Sequence, residues 1–262
     1  MGVYSALKKV YYVLLNAVTF GNGVTVTINN FKLKLPARYH RLFPRDYEAS
    51  SFQFFEKNLK PGATILDIGA HIGLYSVFLA TKSKGKVYSF EPTPDTGAVL
   101  RQTVAINKLQ NNITVVPAAV SDKPGTATFY ISKTEEIATG NSLVDVDFGE
   151  NYKREGGYEV EVVSIDDFVQ KNNLQPSVLK IDAEGVELEV LRGAKNTFST
   201  FRPAGILGVH PFAYSDKAGT LSEIWDLLKE YQLIIQMDGK AITKEEFCSK
   251  EDFVFDIEFL PA

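Results

Sequence analysis

Residues 65–75, ILDIGAHIGLY, constrain the fold of this chain more than any other stretch. An apolar strand, Thr64 to Ile68, carries an acid at Asp67, turns through Gly69 and enters a helix near Gly73. Glycine at such a corner lets other groups approach the backbone, and the helix start offers unpaired N–H groups. Apolar strands then alternate with helical segments, with strands at 64–68, 86–90, 113–117, 178–182, 204–209, 231–237 and 252–259. Helices fit 73–81, 95–108, 186–197 and 221–229. The alternation predicts βαβ units, and so a doubly wound α/β domain with a mostly parallel sheet covered on both faces.

Two regions interrupt that rhythm. Thr126 to Ser132 and Tyr158 to Val163 read as an inserted antiparallel pair, with a polar loop at 133–157 expected to act as a lid or to lack order. The first 54 residues read as an appendage to a domain spanning 55–262, and they include a hairpin over 24–35 turning at Asn29 and Asn30 and a helix from Tyr47 to Leu59. Ahead of the hairpin, Val3, Leu7, Val10, Leu14 and Val18 fall on one helical face. That face is expected to dock on the domain or form a lid, with a homo-oligomer contact or membrane-surface association as alternatives. The apolar run there is too short to span a bilayer.

With 28 Lys and Arg against 32 Asp and Glu, the formal charge is -4, and a nucleic-acid partner is not expected. A single cysteine, Cys248, excludes an internal disulfide or a multi-cysteine zinc site, and the cytoplasm is the expected compartment. No residue spacing specifies a metal site, so no metal is assigned, with metal assistance at the carboxylate-rich strand ends as the alternative.

The spacing at the first turn is D-x-G-x-x-x-G. A dinucleotide pyrophosphate loop needs G-x-G-x-x-G, and no G-K-[ST] follows. An acid at the strand end suits an ammonium better than a phosphate. The next strand ends in Glu91, 22 residues beyond Gly69, where a carboxylate can accept hydrogen bonds from a ribose diol. S-adenosylmethionine fits this pair, with its ribose at Glu91, its adenine over Pro117 to Ala119, and its amino-acid part near Asp67 and Gly69.

Leu66 to Ser76, Phe90 to Pro92 and Ala118 to Asp122 resemble the FkbM-type methyltransferases, and Leu179 to Ala194 (LKIDAEGVELEVLRGA) is similar to that family's fourth-strand signature. The resemblance covers residues 45–212. It implies a class I S-adenosylmethionine fold, seven strands in the order 3-2-1-4-5-7-6 with the seventh antiparallel, and O-methylation of a sugar or natural-product hydroxyl. The family usually has Asn where this chain has His71, which brings a titratable ring to the cofactor loop.

Glu48, Asp67, Gly69, Ala70, His71, Gly73, Glu91, Pro92, Ala118 and Asp182 are the expected cofactor contacts. Asp182, Glu184 and His210 are the expected catalytic groups, with His210 as general base because histidine most readily takes a proton near neutral pH. Glu187 and Glu189 read as solvated helix positions. Two competing functions are an NAD-dependent oxidoreductase on a related Rossmann-like sheet and a non-catalytic methyltransferase-like binding module.

Overall fold

The strand that carries Asp67, β3 (Thr64–Ile68), runs parallel between β4 (Lys86–Phe90) and β9 (Val178–Ile181). Beyond β4 lies β5 (Ile113–Val116), and beyond β9 lies β10 (Ala204–Val209), both parallel to their neighbours. Next to β10 comes β13 (Phe255–Pro261), antiparallel to it and to β11 (Leu233–Met237), and the short β12 (Lys240–Ala241) closes that edge. The mixed sheet thus runs β12-β11-β13-β10-β9-β3-β4-β5, eight strands where seven were expected. This computed structural model describes residues 2–132, 142–143 and 154–262.

Register aligns the strand ends. Asp67 sits level with Ser89 on one side and Lys180 on the other, and Ile68 with Phe90 and Ile181. The residues that follow, Gly69, Glu91 and Asp182, therefore emerge together at the carboxyl edge of the sheet, where open α/β sheets bind ligands.

Residues alternate between two cores. Ile65, Val87, Ile113, Val178 and Ile206 face one, together with α2 (Ala49–Asn58), α3 (Leu74–Ser83) and α4 (Pro94–Ile106). Leu66, Leu179, Ile181, Leu207 and Val209 face the other, which holds α5 (Ile165–Lys171), α6 (Glu187–Arg192), α7 (Lys195–Phe201), α8 (Lys217–Glu230) and α9 (Lys244–Cys248). Period-2 burial on both faces is what a sheet covered by helices demands. In the first core Phe52 packs on Tyr75 and Phe78, with centroids 5.1 and 4.4 Å apart, and each such fully buried ring contributes about 1.5–3 kcal/mol. That packing fixes α2 against α3 and brings the start of α2 to the sheet edge.

Several expectations are corrected. The helix read over 186–197 is two, α6 and α7. Gly193 passes so close to Ser121 that a Cβ would lie 2.4 Å from its carbonyl oxygen, and the Asp166 carboxylate accepts from the backbone N–H groups of Asn196 and Thr197 to start α7 afresh. The inserted pair, β7 (Gly125–Ser132) and β8 (Arg154–Val163), gains a third strand because β6 (Ala119–Val120) pairs parallel with β8. The loop expected at 133–157 lies largely outside the described residues, but its Ser142 bonds the backbone of Tyr130.

At the N-terminus, β1 (Val24–Ile28) and β2 (Phe31–Leu35) form the expected hairpin, with Asn29 and Asn30 both at positive φ as its turn requires. The preceding helix, α1 (Gly2–Val18), does not bury its apolar stripe. Leu7, Val10, Leu14 and Val18 are all exposed, and the helix instead leans on the connector through Tyr11 and Tyr12 against His40. None of the described helices is long and apolar enough to cross a membrane.

Candidate active site

A cleft opens above the carboxyl ends of β3, β4 and β9. It is lined by Glu48, Asp67, Gly69, Ala70, His71, Glu91, Pro92, Ala118, Asp182 and Glu184. Of the residues expected here, only Gly73 and His210 stand behind the lining.

The first turn owes its glycines to packing as much as to any ligand. A Cβ on Gly69, at φ +74, would lie 1.9 Å from the Asp182 carbonyl oxygen, and one on Gly73, at φ +91, would lie 2.4 Å from the Leu100 side chain. Between them His71 also adopts a left-handed backbone, at φ +50. Asn and His are both enriched in that region, so replacing the family's usual Asn preserves the turn. Burial lowers the ring to about 4, which keeps it neutral, and its Nε2 is buried without a hydrogen-bond partner among the described residues.

Two carboxylates present acceptors to the cleft. Asp67 is fully buried, with Oδ2 taking a 2.5 Å hydrogen bond from Ser76, whose own oxygen accepts from Ser89. Asp67 Oδ1 is buried with no hydrogen-bond partner among the described residues. On β4's end, Glu91 accepts from the His71 N–H at 3.0 Å through one oxygen and from the Thr93 N–H at 2.9 Å through the other. The Thr93 side chain adds a third hydrogen bond, and the carboxylate's roughly four lone-pair sites leave room for another donor. Burial raises both groups above the ordinary carboxylate range, with Lys180 and Ser76 moderating Asp67 and hydrogen bonds from Thr93 and His71 moderating Glu91. An ammonium for the orphaned oxygen and a diol for Glu91 are the complements of these acceptors, so the residues present fit the sulfonium nucleoside expected from the sequence.

Glu48 lines the cleft from the start of α2, again with a left-handed backbone, at φ +43, and accepts a 2.7 Å hydrogen bond from the Tyr75 hydroxyl.

Beyond the donor side, Asp182, Glu184 and His210 converge. Glu184, at φ +51, is the third non-glycine lining residue in a left-handed conformation, and its carbonyl accepts from Ser142. Strain of this kind concentrates at functional sites. His210 Nε2 lies 3.5 Å from Asp182 Oδ1 and 3.7 Å from Glu184 Oε2, while Nδ1 lies 2.8 Å from Glu187 Oε1. Burial pushes the ring down, but the Glu187 hydrogen bond and the charges of Glu187, Asp182 and Glu184 outweigh it and raise it to about 10. Burial likewise opposes ionisation of Asp182, yet Lys180 and His210 hold that carboxylate below its ordinary value.

Two members of this group escape sequence reasoning. Glu187, expected in solvent, is fully buried, because α6 turns its first residue inward under Tyr214, which donates to Glu187 Oε2 at 2.6 Å. Lys180 is a buried strand residue whose ammonium lies 2.9 Å from Asp182 Oδ2 and 5.1 Å from the centre of the Tyr75 ring. The only available signal for it was a lysine inside an apolar strand, which rarely enters a core unpaired.

Comparison with known proteins bears on what this cleft serves. The hexuronic acid methyltransferase AglP of Haloferax volcanii is 29% identical over 135 residues, 51% of this chain and 51% of that protein, so the match spans about half the relative's length. The 31-O-demethyl-FK506 methyltransferase FkbM of Streptomyces tacrolimicus is 28% identical over 195 residues, covering 65% of this chain and 72% of that one. Among solved structures, an FkbM methyltransferase from Methylobacillus flagellatus superposes with a TM-score of 0.47 at 18% identity, over 76% of this chain and 43% of its own. Residues 67–234, from the Asp67 turn to β11, match the methyltransferase FkbM domain. The chain belongs to the FkbM family of methyltransferases, and its cofactor is S-adenosylmethionine.

Proposed function

We propose that this protein transfers the S-adenosylmethionine methyl group to a hydroxyl of a sugar or natural-product-like small molecule. The observation that carries the proposal is the pair of buried acceptors at the ends of adjacent strands, Asp67 Oδ1 without a partner and Glu91 with lone pairs to spare. Taken as strands one to seven, β3, β4, β5, β9, β10, β11 and β13 follow the order 3-2-1-4-5-7-6 of a class I methyltransferase, and β13 is the antiparallel member.

Glu91 holds the ribose hydroxyls, Asp67 takes the ammonium, and Ala118 and Pro92 pack beside the base. The bound cofactor supplies a sulfonium-linked methyl whose bonding pair stays with sulfur on transfer. What remains for the chain is alignment of an acceptor oxygen and disposal of its proton. Asp182 and Glu184 line the cleft on that side with His210 behind them, and the proton passes to one of these two carboxylates. The names of two relatives, a hexuronic acid methyltransferase and a 31-O-demethyl-FK506 methyltransferase, favour a sugar-like or FK506-like small molecule as acceptor.

The test is transfer of isotope-labelled methyl from S-adenosylmethionine to a panel of glycans and hydroxylated natural products, with mass spectrometry locating the methyl. O-methylated product is the expected result. Methyl found on nitrogen or carbon, or tighter stabilisation by NAD than by S-adenosylhomocysteine, would overturn the proposal.

A further inference from the structure

We propose that Asp182, Glu184 and His210 form a divalent-cation site on the acceptor side of the cleft. One oxygen of each carboxylate and one ring nitrogen lie within 4.8 Å of one another. The separations from His210 Nε2, 3.5 and 3.7 Å, are too long for hydrogen bonds. They match the spacing of neighbouring ligands that each sit about 2.1–2.2 Å from one shared ion.

The ring is also prepared for that role. Its Nδ1 faces Glu187, a fully buried carboxylate that accepts from Tyr214 through one oxygen and from the Gly185 N–H through the other. A carboxylate on the far nitrogen fixes the tautomer of a ligating histidine and points the Nε2 lone pair outward, the usual support of a metal-bound imidazole. His210 is 6% exposed, and its Nε2 is aimed at Asp182 and Glu184, with an ion there taking the place of the ring proton. Lys180 plays the matching part for Asp182, holding Oδ2 at 2.9 Å and leaving Oδ1 turned toward the ring. Asp182, Glu184 and Glu187 bring three negative charges against one positive charge from Lys180. A dication that replaces the proton on His210 brings that count to zero.

One imidazole and two carboxylates suit Mn²⁺, Zn²⁺ or Mg²⁺ rather than a thiophilic ion. The remaining coordination positions face the cleft, because Asp182 and Glu184 line it. Use of the ion in methyl transfer rests on the proposed O-methylation, whereas its occupancy does not. In that use the acceptor oxygen binds the ion and its proton passes to the Glu184 oxygen that the ion leaves free. The oxygen's electron pair then forms the O–C bond while the C–S bond breaks with its pair going to sulfur.

The experiment is titration of EDTA-stripped full-length protein with Mn²⁺, followed by electron paramagnetic resonance, with pulsed detection of nitrogen coupling. One bound Mn²⁺ per chain with an imidazole nitrogen coupling is the expected result. His210→Gln should remove the coupling and weaken binding by about tenfold or more, and Glu187→Gln should weaken it by about tenfold while the coupling persists. Substoichiometric binding, or bound Mn²⁺ without nitrogen coupling in the unmodified protein, overturns the proposal even where a variant fails to fold. Calorimetry with S-adenosylhomocysteine in EDTA separates the two ideas, because the cofactor subsite needs no ion to fill.

Discussion

Truncating Glu91 should weaken cofactor binding more than any other single change at the donor side. The carboxylate is 7% exposed, and each oxygen already anchors one main-chain N–H, from His71 and from Thr93. Glu91→Ala removes the charged acceptor proposed for the ribose and also leaves those two donors without their partner. Hydrogen bonds to a charged group contribute about 1.5–3 kcal/mol each, and water entering the vacated space recovers part of the loss. A net loss of about 1–3 kcal/mol corresponds to a rise in Kd of about 5–150-fold. Isothermal calorimetry with S-adenosylhomocysteine reads it directly. Glu91→Gln keeps one acceptor oxygen but sets an amide NH₂ against one of the main-chain donors, and should fall between wild type and alanine. A folded Glu91→Ala protein that binds within about twofold of wild type would refute this account of the ribose subsite.

Other predictions concern pH and packing. Because burial raises Glu91 above its ordinary 4.5, its ionised form is lost early on acidification. S-adenosylhomocysteine affinity should therefore begin to decline above pH 4.5 as wild type is acidified, while Glu91→Gln stays flatter, as calorimetry over a pH series would report. Asp256 is raised from 3.8 to about 6 by burial and then by the nearby charges of Glu48 and Asp182. The folded state thus holds this proton more tightly than the unfolded one, and the associated stability, present below 3.8, is lost as pH rises through about 6. At about 1.4 kcal/mol per tenfold change, the charge costs up to about 3 kcal/mol at neutral pH. Asp256→Asn, which keeps an acceptor for Ser51, should be more stable than wild type in urea at pH 8 and equal to it near pH 4. Gly69→Ala forces a Cβ into the Asp182 carbonyl oxygen and should cost at least about 3 kcal/mol, lowering Tm and S-adenosylhomocysteine affinity together.

What the sequence makes legible is whatever the backbone decides. Asp67, Gly69 and Glu91 are placed by strand ends and a turn, and period-2 and glycine patterns report those directly. Side chains that meet across the fold leave no such trace. Glu187 opens a helix, where an acid has an ordinary reason to be, and only the return of β10 alongside β9 brings His210 and Tyr214 over it. Lys180 looks misplaced within an apolar strand until Asp182, two residues on, turns back to meet it. The break between α6 and α7 hides for the same reason, since its causes, Ser121 and Asp166, belong to other parts of the chain. The apolar stripe of α1 was visible, but periodicity says which residues share a face and not what that face touches.

The serine relay behind Asp67 has a consequence for how strictly the donor is measured. Ser89 on β4 and Ser76 on α3 lock one oxygen of Asp67, so the other is delivered at a set point rather than searching for its guest. Asp67 belongs to β3, and Glu91 follows directly on β4. Their separation is ruled by a hydrogen-bonded ladder of about 4.8 Å pitch, which mobile loops cannot stretch. With the proposed placement of ammonium at Asp67 and ribose at Glu91, discrimination against donors with a longer or shorter amino-acid arm would reside in the sheet itself, the least deformable ruler that a protein possesses.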